Sequence, residues 1–134
     1  MRTIGILLAA AALMFAGCAS NQPINNVVNA PFVYPQGKSL TMGEISKAVV
    51  AAGTGLGWQM QATAPGKISG RLVLRTHVAE VDVEHNTKSY SIKYRDSQNL
   101  EARDGMIHKA YNGWIENLDK AIRSNVEAAA GGSK

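Results

Sequence analysis

The chain has one cysteine, Cys18, among its 134 residues, so no internal disulfide can hold it and stability must come from an apolar core. Catalytic and metal signatures are missing too. There is no His-x-x-x-His pair, no acidic run with calcium-loop spacing and no G-x-S-x-G turn. Metal binding, a cofactor and acyl transfer therefore have no positive support. Charge is also modest: 18% of residues are charged and the formal net charge is +4, too small a basic excess to argue for nucleic acid. The apolar run from Ile4 to Phe15 is about a dozen residues, short of the ~20 that cross a bilayer as a helix. Length and composition fit one globular domain.

What the N-terminus does contain is a secretory signal. Arg2 supplies a positive n-region, Ile4 to Phe15 the apolar h-region and Ala16-Gly17 a small-residue pair, so residues 1–17 read as a cleaved segment. Cys18 follows directly. The run Phe15-Ala16-Gly17-Cys18 resembles the lipobox of bacterial lipoproteins, with Phe15 where leucine is usual. That resemblance implies a lipid on Cys18 and a membrane anchor; the competing reading is an ordinary signal with a free thiol. Ala19 rather than aspartate after the cysteine resembles the pattern that sends lipoproteins of a Gram-negative cell to the outer membrane, facing the periplasm. Loss of Arg2 leaves 13 basic residues against 10 acidic ones, net +3. Residues 18–30, rich in Asn, Ser and Gln, are expected to be a flexible tether.

Residues 31–130 carry the periodicity of a single α+β domain. Pro31 to Pro35 suits a short edge strand. Thr41-Met42-Gly43-Glu44 fits a capping box with Leu40 and Ile45 as its hydrophobic staple, and Gly53 is placed to stop the helix. Ile45, Ala48, Val49 and Ala52 form that helix's apolar stripe. Four strands are expected next, between Trp58 and Arg95, with Pro65-Gly66 as the first turn and loops at Arg75–Val78 and Asn86–Ser89. Facing residues are predicted to be Leu72 with Val81, Leu74 with Ala79, Arg71 with Asp82, Val83 with Ile92, Val81 with Tyr94, Asp82 with Lys93 and Glu80 with Arg95.

Ile107 to Val126 is the organising amphipathic helix. Ile107, Tyr111, Trp114, Ile115, Leu118, Ile122 and Val126 recur at three and four residues and fall on one stripe, with Trp114 expected at its centre. The fold predicted is an α+β two-layer sandwich: an antiparallel four-stranded meander with two helices packed on one face, in the order α-β-β-β-β-α. Residues 131–134 are expected to be a disordered tail.

Three histidines invite a functional reading. His77 and His85 are roughly 26 Å apart along one strand at ~3.3 Å per residue, and read as surface residues at hairpin ends. His108, Tyr111 and Asn112 can cluster at one helix end with Trp114 as a wall, which makes them the candidate binding site for a small ligand or cell-wall fragment. The plainer reading is that His108 and Asn112 bond the loop Ser97–Asp104 and fix the helix. Glu80, Asp82 and Glu84 read as solvated cross-strand partners of Arg71, Lys93 and Arg95.

Taken together, PGKISGRLVLRTHVAEVDV, YSIKYRDSQNL and IHKAYNGWIENLDKAI, spanning roughly Ile45 to Ile122, resemble a group of small bacterial lipoproteins without an assigned biochemical activity. The resemblance implies an envelope protein with strands followed by a C-terminal helix, and it carries no catalytic residue across. The expected function is a non-enzymatic module, lipid-anchored at a membrane, that binds or scaffolds another envelope component.

Overall fold

The computed structural model describes residues 20–131. The expected signal at 1–17, Cys18 and the tail at 132–134 lie outside the described residues. The elements are β1 (Asn21–Pro23), β2 (Val27–Pro31), α1 (Met42–Gly55), β3 (Gln59–Ala64), β4 (Lys67–Leu74), β5 (His77–His85), β6 (Ser89–Gln98), β7 (Met106–His108) and α2 (Lys109–Gly131). The class is α+β, but the sheet has five antiparallel strands in the order β2-β6-β5-β4-β3, and β1 with β7 forms a separate two-stranded ladder. This corrects the expected four strands and the order α-β-β-β-β-α.

The extra strands come from the segment expected to be a tether. Its composition cannot bury enough surface to fold alone, yet it does not fold alone. Val27 faces Ile92 and Ala30 faces Tyr90 on the free edge of β6, while Asn21 faces His108 across β7. Asn26 and Asn29 hydrogen-bond across to β6, 68 and 62 residues on in the sequence. The Tyr94 amide donates to Asn26 Oδ1 at 2.8 Å, and the Asn29 amide donates to Ser91 Oγ at 2.9 Å. The expected edge strand at Pro31–Pro35 is thereby displaced toward the N-terminus, because the two prolines cannot donate to a ladder.

Helix α1 begins as its sequence dictates. Thr41 Oγ1 accepts from the Glu44 amide at 3.2 Å, and Leu40 and Ile45 are both buried beneath the cap. Gly53 does not end the helix, which runs on to Gly55; Gly57 takes the positive φ of 91°. Gly53 is needed for a different reason, since a side chain there would collide with the sulfur of Met60.

The strand registers follow from turn length. Pro65-Gly66 links β3 to β4 with Gly66 at φ 73°, and a side chain at Gly66 would meet the His85 carbonyl. Between β4 and β5 the turn is Arg75-Thr76, with Arg75 at φ 57°, so Leu72 faces Ala79, Leu74 faces His77 and Arg71 faces Glu80. The expected pairs Leu74 with Ala79, Leu72 with Val81 and Arg71 with Asp82 are thus two residues out of register. A two-residue turn pairs even positions with odd ones, so the apolar phase switch needs no longer loop. Across the next hairpin Val83 faces Ile92, Val81 faces Tyr94 and Asp82 faces Lys93. A bulge between Glu80 and Val81 moves Asp96 opposite Glu80, although Arg95 still reaches Asp82 at 3.2 Å and Glu80 at 4.0 Å.

Helix α2 starts two residues later than expected, because Ile107 and His108 belong to β7. Tyr111, Ile115, Leu118, Ile122 and Val126 are buried and meet α1's Ile45, Val49 and Ala52 together with Ile68, Val81, Val83 and Ile92 in one core. Trp114 is only half-buried and packs beside His77 with ring centroids 6.5 Å apart. The centre of the stripe is Tyr111 to Ile122, and Trp114 lies on its margin. Gly131, expected to open the tail, is the last residue of α2.

Candidate functional site

The β7-to-α2 junction brings His108, Tyr111 and Asn112 close in sequence but gives them three separate tasks. His108 is the last residue of β7, and its amide donates to the Leu100 carbonyl at 2.8 Å. Its Nδ1 accepts from the Ala110 amide at 3.1 Å, which satisfies one of the free donors of the first helical turn and requires Nδ1 to carry no proton. The tie to the loop before it is therefore made by the His108 backbone, with the side chain serving as a helix cap.

Tyr111 points the other way. It is fully buried, its ring meets Tyr94 edge-on at 5.6 Å, and its hydroxyl has no hydrogen-bond partner. Burial drives its pKa far above the ordinary value, with the neighbouring Tyr94 hydroxyl adding to the shift. A side chain with no exposure cannot receive a ligand from solvent, so Tyr111 leaves the expected binding cluster.

Asn112 is the clip for the N-terminal strands. Its Oδ1 accepts from the Asn25 amide at 3.0 Å, and its Nδ2 donates to the Pro23 carbonyl at 2.9 Å and to Gln22 Oε1 at 3.2 Å. Both ends of the side-chain amide are used, so the residue expected to read a ligand reads this chain's own backbone instead. Beside it an open groove of about 500 Å³ is lined by Lys109, Asn112, Glu116 and Asp119. Asp119 is already engaged by the Tyr90 hydroxyl and by Arg123 at 2.7 Å.

Of the remaining histidines, His77 lies partly exposed at a hairpin end as expected, whereas His85 does not stay at the surface. His77 Nδ1 lies 2.7 Å from the Asn99 carbonyl and so donates to it. His85 is buried, with Nε2 at 2.8 Å from Ser46 Oγ and Nδ1 at 3.3 Å from the Asn86 carbonyl. The carbonyl can only accept, so Nδ1 holds the proton and Ser46 donates to Nε2. Sequence spacing could not find this pair, since 39 residues separate the partners. Burial lowers the His85 pKa, while the bond to Asn86 opposes the shift. The unfolded chain therefore binds a proton more readily than the native one. The stability that neutral His85 provides is complete above its ordinary pKa of 6.5 and is lost as the pH falls below it. Urea midpoints measured from pH 7.5 to 5.5 (about a unit to either side of that value) should fall for the wild type and fall less for His85→Gln.

The acidic row on the outer sheet face is paired as expected of solvated charges. Glu80 lies 3.6 Å from Arg71, Asp82 3.2 Å from Arg95 and Glu84 3.1 Å from Lys93. Among the described residues no three of His, Cys, Asp and Glu gather as metal ligands, and no helix is long and apolar enough to cross a membrane. Comparison with protein-family models, curated proteins and solved structures finds no match to this chain.

Proposed function

We propose that the protein is a non-enzymatic bacterial envelope lipoprotein, anchored by a lipid on Cys18 at the outer membrane facing the periplasm, whose compact domain binds or scaffolds another envelope component. The observation that carries this reading is the Phe15-Ala16-Gly17-Cys18 lipobox-like run, which ends two residues before the first described residue, Ser20. The similarity to small bacterial lipoproteins supports it from a separate part of the chain. The engagement of His108 and Asn112 in hydrogen bonds within the fold favours a scaffold over a pocket-based activity.

A second reading is favoured by the open groove beside Asn112. Lys109 and Glu116 offer charges of both signs there, which suits a small zwitterionic ligand such as a cell-wall peptide fragment. Cross-linking in intact cells separates the two, because a scaffold retains a protein partner and a fragment-binding module does not.

The anchor has its own test. Cys18→Ala should release the domain into the soluble fraction with an unchanged urea midpoint, because the described core contains no cysteine. A variant that still sediments with membranes as wild type does would end the lipoprotein reading.

A further inference from the structure

The folded domain begins almost at the cysteine. The Ser20 carbonyl accepts from the Lys109 amide at 2.7 Å, and only Ala19 separates Ser20 from Cys18, so the two Cα atoms are within ~7 Å of each other. A lipid on Cys18 would thus hold one end of the domain against the bilayer, with no tether to let it turn.

Hydrogen bonds identify that end. Next to Lys109, the His108 amide donates to Leu100; next to Leu100, Asn99 Nδ2 donates to the Thr76 carbonyl at 2.6 Å. Thr76 belongs to the β4–β5 turn. Since β5 runs from His77 to His85, the loop containing Lys88 is at the far end of the sheet. Aliphatic side chains are exposed at the near end: Val73 at 45% and Leu74 at 43% beside the turn, and Met106 at 37% in a groove that it shares with Asn21. Leu56 joins them at 42%, because the α1 terminus lies against Leu72 and Gln59 pairs with Arg71. Arg75 follows Leu74 in the turn, Arg103 shares the Met106 groove with the acidic Glu101 and Asp104, and Lys109 is the residue that holds Ser20; Asp104 is paired with Arg103 at 3.5 Å. The exposed Val28 and Val33 lie apart, on and after β2.

We propose that this end is a membrane-facing surface, in which Leu56, Val73, Leu74 and Met106 enter the headgroup layer of the bilayer that carries the Cys18 lipid, while Arg75 and Lys109 meet its phosphates. The inference rests on the lipoprotein reading. Exposed aliphatics bordered by cations match the chemistry of that layer. Four such side chains would hold a free protein at a membrane only weakly. The anchor changes this, since a domain joined to the lipid through Ala19 alone meets the bilayer at a very high effective concentration. The Lys88 end then faces away from the membrane and is the end open to a partner.

The test uses the lipid-modified full chain in vesicles of phosphatidylethanolamine and phosphatidylglycerol, with the mass at Cys18 measured on the same sample. Because a lipid occupies the natural cysteine, Leu74→Cys, Val73→Cys or Lys88→Cys each accepts a single fluorescent label. The labels at Leu74→Cys and Val73→Cys should be quenched by lipid-borne nitroxide and show a several-fold drop in quenching by aqueous iodide relative to Lys88→Cys. Equal iodide quenching at all three positions, with Cys18 modified, overturns the membrane surface and leaves the lipoprotein reading standing. Protection from iodide without nitroxide quenching also overturns it, in favour of a second copy of the chain over the patch. An unmodified Cys18 overturns both readings.

Discussion

Tyr111→Ala should lower the unfolding free energy by about 3–5 kcal/mol, whereas Tyr111→Phe should leave it unchanged or raise it by up to about 1 kcal/mol. The asymmetry comes from where the residue sits. Its fully buried ring fills the junction of α2 with β6 against the partly buried Tyr94, so truncation leaves a cavity there. Its hydroxyl is buried without a partner, so the folded protein bears a desolvation cost that phenylalanine does not. Reversible urea unfolding of the two variants measures both effects. The pair also decides what kind of residue Tyr111 is. A tyrosine kept for a ligand would lose capture on conversion to phenylalanine with little change in stability, and a gain in stability with capture intact places it in the core.

The long helix was legible because apolar side chains at helical spacing make a stripe that needs covering, and the sheet's alternation and the α1 stripe both supply cover. Trp114 shows the limit of that argument. A stripe gives an angular range, and at its margin a residue can be placed only by knowing what lies beside it; here the neighbour is His77, from the end of β5. The β5–β6 register was readable because β-branched residues at Val81, Val83 and Ile92 leave few ways to match the faces. The β4–β5 register was missed by two residues, since a slip of two keeps every side chain on its face and only the turn distinguishes the alternatives.

The candidate site comes apart in the structure into a helix cap, a buried ring and a clip. His108, Tyr111 and Asn112 were selected because polar and aromatic groups at three and four residue spacings share a helix face, and sequence offers no way to tell a ligand's hydrogen bond from one made to the chain's own backbone. Asn112 makes two such bonds, to Asn25 and Pro23, and a third to the Gln22 side chain. Those partners lie in the segment whose composition predicts a tether, which hides the groups that satisfy Asn112. The same omission concealed why Ser91 and Tyr94 are followed so closely by ladder partners on the β2 side. Ser46 and His85 were missed for a simpler reason: only the packing of α1 over the end of β5 brings them together.

Replacing residues 21–30 by a Gly/Ser linker of equal length should remove most of the domain's stability, on the order of 5 kcal/mol of the ~5–15 kcal/mol that a domain has. A tether would tolerate this change without effect. In the structure it strips β6 of its outer neighbour, removes the ladder to β7 and exposes the inward side chains Ile24, Val27 and Ala30, which pack on the core. The Asn112 amide loses its Asn25 and Pro23 partners at the same time. Each lost bond matters by about 1 kcal/mol on its own, and the aliphatic contacts add to the sum at roughly 25 cal/mol per Å² of apolar surface. Hydrogen exchange should localise the damage first to the amides of β6 and β7, with α1 and β3 protected until global unfolding. A linker variant whose urea midpoint matches wild type would show that β1 and β2 are not bound to the domain in solution, and with them would go the rigid, short link between Cys18 and the fold.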